Sequence, residues 1–328
     1  MLLEIRHVTQ YHYDAPVRES VMELWMQPQK SPRQRVIRFD LELDPDARLF
    51  SYADPFGNAV YYFDVPQPHD ELTIIACSAV ETEEPEPLPD ALDVGEWDRL
   101  RSDFVRGDCF EFLRPHGFAQ NTEALQHFVK KRGLDALRRY DPLTAMLRLN
   151  EAIYRAFEYQ AGVTAADSPI DLALSAGRGV CQDFAHIMLA ICRAWGLPAR
   201  YVSGYLYNDR KHGDRSDPDA THAWVEVFLP SLRWVGFDPT NNCLAGERHV
   251  GVAIGRDYRD VPPSRGVYKG GGESHLGVAV SVTRTRAALA EPEFIRPQRQ
   301  PSQTGRSRQG ADAFDHEQQR QQQQQQQQ

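Results

Sequence analysis

The stretch "GRGVCQDFAHIMLAICRAWGLP", residues 177–198, constrains this chain more than any other. Phe184, Met188, Ile191 and Trp195 recur at helical spacing, with Ile187 and Cys192 beside them, and Gly196 and Pro198 close the run. The pattern predicts an amphipathic helix with one buried stripe. Two glycines and a cysteine stand directly before it. Glycine admits tight backbone and close approach. A helix start offers unpaired N–H groups and partial positive charge, an environment that favours a thiolate. A cysteine that only fills the core needs none of this. Cys181 is therefore the candidate nucleophile, and Cys192, on the apolar side of the same helix, is read as packing.

After the helix the text turns to strands: "ARYVSGYLY", "HAWVEVFLP", "RWVGFDPT" and later "LGVAVSVT". A helix followed by an antiparallel sheet is α+β logic. Upstream, Asp141 and Pro142 form a cap and first-turn proline ahead of the stripe Met146, Leu149, Ile153 and Phe157. Ser168 and Pro169 repeat that start signal for a short helix that Gly177 stops. The first 82 residues read as β. In "VIRFDLEL", Ile37, Phe39, Leu41 and Leu43 alternate with Arg38, Asp40 and Glu42. A turn at Pro55, Gly57 and Asn58 and the run "LTIIACSAV" continue the pattern, which predicts a small β-sandwich. "ETEEPEPLPD" (81–90) is acidic and proline-rich, a linker by composition. The expected division is an N-terminal β domain (1–82), a linker and helical segment (83–139), a catalytic core (140–288) and a disordered Gln-rich tail (289–328).

A cysteine nucleophile needs an imidazole to hold and deliver the proton. "THAWVEVFLPSLRWVGFDPT" supplies one if it forms a hairpin turning at Pro230. His222 then falls opposite Asp238, Trp224 opposite Gly236 and Glu226 opposite Trp234, all on one face. A one-residue slip would break this arrangement. Asp238 would orient the ring while the helix start brings Cys181 to its other nitrogen. The backbone N–H of Cys181, with Gln182 as a weaker candidate, would serve a developing oxyanion. Asp183 lies in the first turn, where a carboxylate caps and stabilises the helix. Tyr201, Tyr205 and Trp224 either line a substrate groove or pack the sheet.

"GVCQDFAH", "GLPARYVSGYL", "DATHAWVEVFLP" and "WVGFDPTN", in that order, resemble the transglutaminase-like superfamily, its bacterial branch in particular. The resemblance is strongest over residues 140–245. It implies a papain-like Cys-His-Asp core, with the nucleophile at Cys181, the histidine at His222 and the aspartate at Asp238. The N-terminal β region resembles the β domain that precedes this core in the bacterial branch, as does "GRDYRDVPPSRGVYKGGG" at 255–272.

The chemistry so implied is thiol-dependent acyl transfer on peptide or protein amides. Water as acceptor gives a peptidase or amidase, and an amine gives a transglutaminase; the residues leave both open. The rival reading is a catalytically silent module that keeps the fold to grip peptides. A net charge of −9 argues against a nucleic-acid partner. No run approaches the apolar length of a membrane span, and "MLLEIRHVTQYHYD" is not a secretory leader. Five sparse cysteines without a CxxC point to a reducing compartment, with the cytoplasm expected. No zinc-ligand spacing occurs, and no cofactor is expected.

Overall fold

The computed structural model describes residues 1–208, 213–217, 220–271 and 273–285; the Gln-rich tail lies outside the described residues. Six strands open the chain: β1 (Leu2–Val17), β2 (Ser20–Leu24), β3 (Gln34–Asp44), β4 (Phe50–Ala53), β5 (Ala59–Val65) and β6 (His69–Thr82). Short helical turns between 96 and 113 lead to helices α1 (Glu123–Arg132), α2 (Pro142–Ala156), α3 (Ile170–Ala176) and α4 (Cys181–Ala194). Seven strands follow: β7 (Ala199–Leu206), β8 (His222–Leu229), β9 (Arg233–Asp238), β10 (Cys243–Leu244), β11 (His249–Gly255), β12 (Ser264–Tyr268) and β13 (Ser274–Arg284).

Two four-stranded sheets, ordered β13-β1-β6-β3 and β12-β2-β5-β4, face each other. Tyr11, Leu72 and Ile74 of the first enclose a common core with Met22, Leu24 and Phe63 of the second. The expected sandwich is present, but its membership differs from expectation. "LGVAVSVT" belongs to β13, which pairs with β1 in the sandwich instead of extending the core sheet. β12 likewise pairs with β2. Alternating apolar residues mark a half-buried strand without saying which sheet it joins, so the chain's return to its beginning was invisible to pattern alone.

The other body packs α4 on a five-stranded antiparallel sheet, β10-β9-β8-β7-β11. Apolar side chains of α4 meet Tyr201, Val225 and Val227 of the sheet, together with Met146, Leu149 and Ile153 of α2 and Ile170 and Ala173 of α3. The helix is consequently buried all round from Gln182 to Arg193, not along one stripe. Its polar members survive burial by finding partners. Arg193, for example, donates to the carbonyls of Phe112, Ala199 and Arg256.

Local signals act where the sequence places them. Asp141 accepts from Thr144 N at 3.1 Å and Pro142 opens α2. Gly177 (φ 68°) ends α3, and Gly196 (φ 81°) follows α4. Ser168 departs from its expected role. It accepts from Ala165 N at 2.8 Å, within the preceding loop, and α3 starts without a side-chain cap. Among the described residues, no helix is long and apolar enough to cross a membrane.

Candidate active site

Cys181 opens α4, so its own N–H is among the groups that have no intrahelical acceptor. The glycines before it have separate reasons. Gly177 takes the left-handed conformation that ends α3. At Gly179 a Cβ would sit 2.6 Å from Asp183 Oδ2. That carboxylate needs the space: it accepts from Val180 N at 2.8 Å and from Thr164 Oγ1 at 2.6 Å. Asp183 thus caps α4 as expected, turned toward the preceding loop. Burial raises its pKa in spite of these bonds. Gln182, the weaker oxyanion candidate, donates an amide N–H to Ala166 O at 2.6 Å and ties the same loop.

The hairpin places His222 and Asp238 together, though not in the expected register. Glu226 pairs with Gly236, not Trp234, and Leu229 pairs with Arg233. The turn is a three-residue one, with Arg233 in the left-handed region (φ 65°), so its centre lies one residue beyond Pro230. The resulting offset is even, and the two side chains keep their common face. They meet diagonally instead of directly. His222 Nε2 lies 2.7 Å from Asp238 Oδ2, with both residues buried.

Asp238 performs two tasks, one per oxygen. Oδ1 accepts from Thr240 N (2.9 Å) and Asn241 N (3.2 Å), the pattern of an aspartate that opens a turn. Oδ2 accepts from His222, from Asn241 Nδ2 (2.8 Å) and from His249 Nε2 (3.2 Å). Burial alone would raise this carboxyl's pKa; the His222 charge and the hydrogen bonds outweigh burial and hold it far below the usual range. Burial alone would lower His222; the Asp238 charge and hydrogen bond, then the Cys181 thiol, lift it well above an ordinary histidine. With Nε2 occupied, His222 Nδ1 is buried and has no hydrogen-bond partner. It is the nitrogen left for a thiol, and Cys181 acts on this ring without completing an ordinary hydrogen bond.

Three further residues belong to the site and were missed. His249 comes from the sheet's outer strand, and only the fold brings it near. Asn241 stood in "WVGFDPTN" without being singled out. Its Oδ1 accepts from Arg215 N (2.8 Å) and Ser216 N (3.4 Å), binding that segment to Asp238. Tyr159 pairs with Gly179 through a short parallel bridge, and its hydroxyl accepts from Asp217 N at 3.4 Å. Burial, then the Cys181 charge, raises the Tyr159 pKa. Tyr201, Tyr205 and Trp224 are 2% exposed and pack the sheet, and Trp224 also borders a cavity shared with Gln34 and His249.

His222, Asp238 and His249 also offer ligand atoms within 4.8 Å of one another, a grouping that linear spacing had excluded. Their bonding is that of a proton-linked set. Gly246 N donates to His249 Nδ1 at 3.2 Å, so the proton of that neutral ring sits on Nε2 and points at Asp238. Burial, with the His222 and Arg248 charges, keeps the ring neutral by lowering its pKa.

Residues 3–81 match the family model for the bacterial transglutaminase-like N-terminal region, and residues 136–239 match that of the transglutaminase-like superfamily. An uncharacterized protein of Mycobacterium leprae is 35% identical over 284 residues, spanning 86% of this chain and 98% of that protein. The chain belongs to the transglutaminase-like superfamily. A second uncharacterized relative, from Mycobacterium tuberculosis, is 37% identical over 290 residues, 85% of this chain and 91% of that one. A candidate cysteine protease from Cytophaga hutchinsonii, known as a crystal structure, shares the fold with a TM-score of 0.67 at 21% identity, over 88% of this chain and 92% of that one. A protein-glutamine gamma-glutamyltransferase of Pseudomonas aeruginosa is 32% identical over 94 residues, only 13% of its length. In this transglutaminase-like chain the family's core thus spans α2 to β9, the elements that hold Cys181, His222 and Asp238.

Proposed function

We propose that the protein is a thiol-dependent acyl-transfer enzyme acting on peptide or protein amides, with Cys181, His222 and Asp238 as its triad. The observation that carries this reading is the His222 ring. One nitrogen is fixed on a buried carboxylate, and the other is unpartnered beside a thiol at a helix start. The Cys181 thiolate attacks the amide carbonyl carbon. The oxygen takes up negative charge near the Cys181 N–H. As the tetrahedral species collapses the C–N bond breaks, and the imidazolium of His222 gives its proton to the departing amine. Water or a second amine then attacks the thioester and returns a proton to His222, releasing Cys181. Asp238 stays ionised throughout and stabilises the imidazolium.

The other thiols suit this assignment. Burial raises Cys109 and pushes both Cys192 and Cys243 up to about 12. All five cysteines are free, which fits action in a reducing compartment such as the cytoplasm. The test is a peptide library incubated with the full chain, with and without a primary amine, and read by mass spectrometry. Cleaved or deamidated peptides identify a hydrolase, and amine-adducted glutamine identifies a transglutaminase. Turnover unchanged in a Cys181→Ala variant would assign the chemistry to another nucleophile, and none in the native protein would favour a silent binding module.

A further inference from the structure

His249 lies outside the triad, yet it donates to the same oxygen of Asp238 that orients His222. Three features fix its ring. Its tautomer is set by Gly246 N on Nδ1. Trp224 meets it edge-on, with centroids 5.2 Å apart. Its backbone opens β11, the outermost strand of the core sheet.

An outer strand has a row of N–H and C=O groups with no neighbouring strand to bind them. On β11 the sandwich supplies their partners. Gly251 N donates to Gln34 Oε1 (2.9 Å), and Gly251 O accepts from Gln34 Nε2 (2.7 Å) and Gln29 N (2.9 Å). Ile254 N donates to Asn58 Oδ1 (2.9 Å), and Ile254 O accepts from Asn58 Nδ2 (2.8 Å). Asn58 is fully buried and is itself held by Asp54 Oδ2 (2.7 Å) and Gln29 Nε2 (2.8 Å). Two side-chain amides of the sandwich therefore stand in for a missing strand. They do so at the bulged part of β11, where its pairing with β7 shifts between Gly251 and Ala253.

We propose that His249 is a positioning residue for the triad, and that the N-terminal sandwich aims it by clamping β11 through Gln34 and Asn58. The inference rests on the acyl-transfer reading of Cys181, His222 and Asp238. It gives the sandwich a task in the chemistry. The clamp sets the height of β11, β11 sets His249, and His249 keeps Asp238 Oδ2 turned to His222. Without the donor, Oδ2 keeps Asn241 and His222 but gains freedom to rotate away from the ring.

The test is the second-order rate at which iodoacetamide alkylates Cys181 in the full chain at pH 6.5, located by mass spectrometry, with circular dichroism to establish folding. His249→Phe keeps an aromatic ring but removes the donor, and should slow alkylation about tenfold. His249→Gln retains an N–H at similar reach and should stay within about threefold of the native rate. Gln34→Ala combined with Asn58→Ala touches nothing in the triad and should slow alkylation about threefold or more. Native rates in His249→Phe, or a loss in His249→Gln as deep as in His249→Phe, would overturn the role of the donor. If His249→Phe fails to fold, the double variant decides, and an unchanged rate there ends the proposal. A native Cys181 no faster than Cys77 would instead remove the acyl-transfer reading, and this inference with it.

Discussion

Asp257 and Asp238 each bury a carboxylate against an imidazole. His116 Nδ1 lies 2.9 Å from Asp257 Oδ2, and His222 Nε2 lies 2.7 Å from Asp238 Oδ2. Both carboxylates also accept backbone N–H groups, Phe118 and Arg259 for Asp257 and Thr240 and Asn241 for Asp238. Both are held below the ordinary carboxylate range against the opposing effect of burial. The difference lies in what stands beyond the histidine. The His116 side chain is 31% exposed, and its bond ties segment 116–118 to the turn at 257–259. His222 is sealed, its second nitrogen is unpartnered, and the Cys181 thiol acts on its ring. A buried His–Asp pair is therefore a common structural joint. It becomes a candidate for catalysis when the remaining nitrogen is kept for a nucleophile.

The comparison breaks most sharply at Cys181. Cys181→Ala removes a small group from a helix start and should leave the fold in place. It should also reduce turnover below about one per cent, because the covalent step has no other thiol to use. Peptide turnover beside the melting temperature measures both. Residual activity above that level means that another nucleophile exists and that the His222 pair is no more special than the His116 pair.

Asp238→Asn comes next. The carboxamide keeps the shape and loses the charge that lifts His222, so the imidazolium forms only at lower pH. Iodoacetamide labelling of Cys181 at pH 6.5 should slow about a hundredfold, and the deficit should shrink in strongly alkaline buffer. A rate–pH curve that matches the native one would reduce Asp238 to the turn role its Oδ1 already fills.

Asp257→Asn should do the opposite. Labelling at pH 6.5 should stay within about twofold, while stability at pH 7 falls by about 1–3 kcal/mol through the weakened joint. The pH dependence has a definite sign. Asp257 is lowered on folding, so its contribution is full above the ordinary carboxylate pKa and is lost as pH falls through the folded value. The gap in melting temperature between variant and native protein should therefore narrow below about pH 4. A variant that melts like the native protein at pH 7 would show that the joint stabilises nothing. One that also loses labelling would tie Asp257 to the triad.

These two pairs also show which parts of the site were legible in the sequence. Apolar spacing and Gly196 located α4, and a proline after an aspartate located α2, because both signals act within one or two turns of chain. Period-two alternation placed His222 and Asp238 on one face despite a turn centred one residue away, since an even offset preserves parity. His249 carried no local signal. Its place depends on β11 reaching the outer side of β7 through a bulged register that residues of the sandwich stabilise. The membership of β12 and β13 in the sandwich was hidden for the same reason, as was the Asp257 joint, whose partners lie 139–141 residues apart.

The smallest effect expected is that of a chelator, and it tests the nature of the Asp238 cluster. His222, Asp238 and His249 are compact enough to suggest two imidazoles and a carboxylate around a cation. Such a site needs both nitrogens that face the carboxylate to be deprotonated. Here they carry the protons. Gly246 N occupies His249 Nδ1, which leaves the proton on Nε2, and His222 is raised toward its charged form. Asp238 has no oxygen to spare, since each is already engaged by backbone or side-chain donors. Millimolar EDTA should therefore change neither the labelling rate of Cys181 nor the melting temperature. Loss of either on chelation, with return on adding zinc, would show a metal-linked cluster. The line drawn between Asp238 and Asp257 would then rest on a cation and not on an unpartnered imidazole nitrogen.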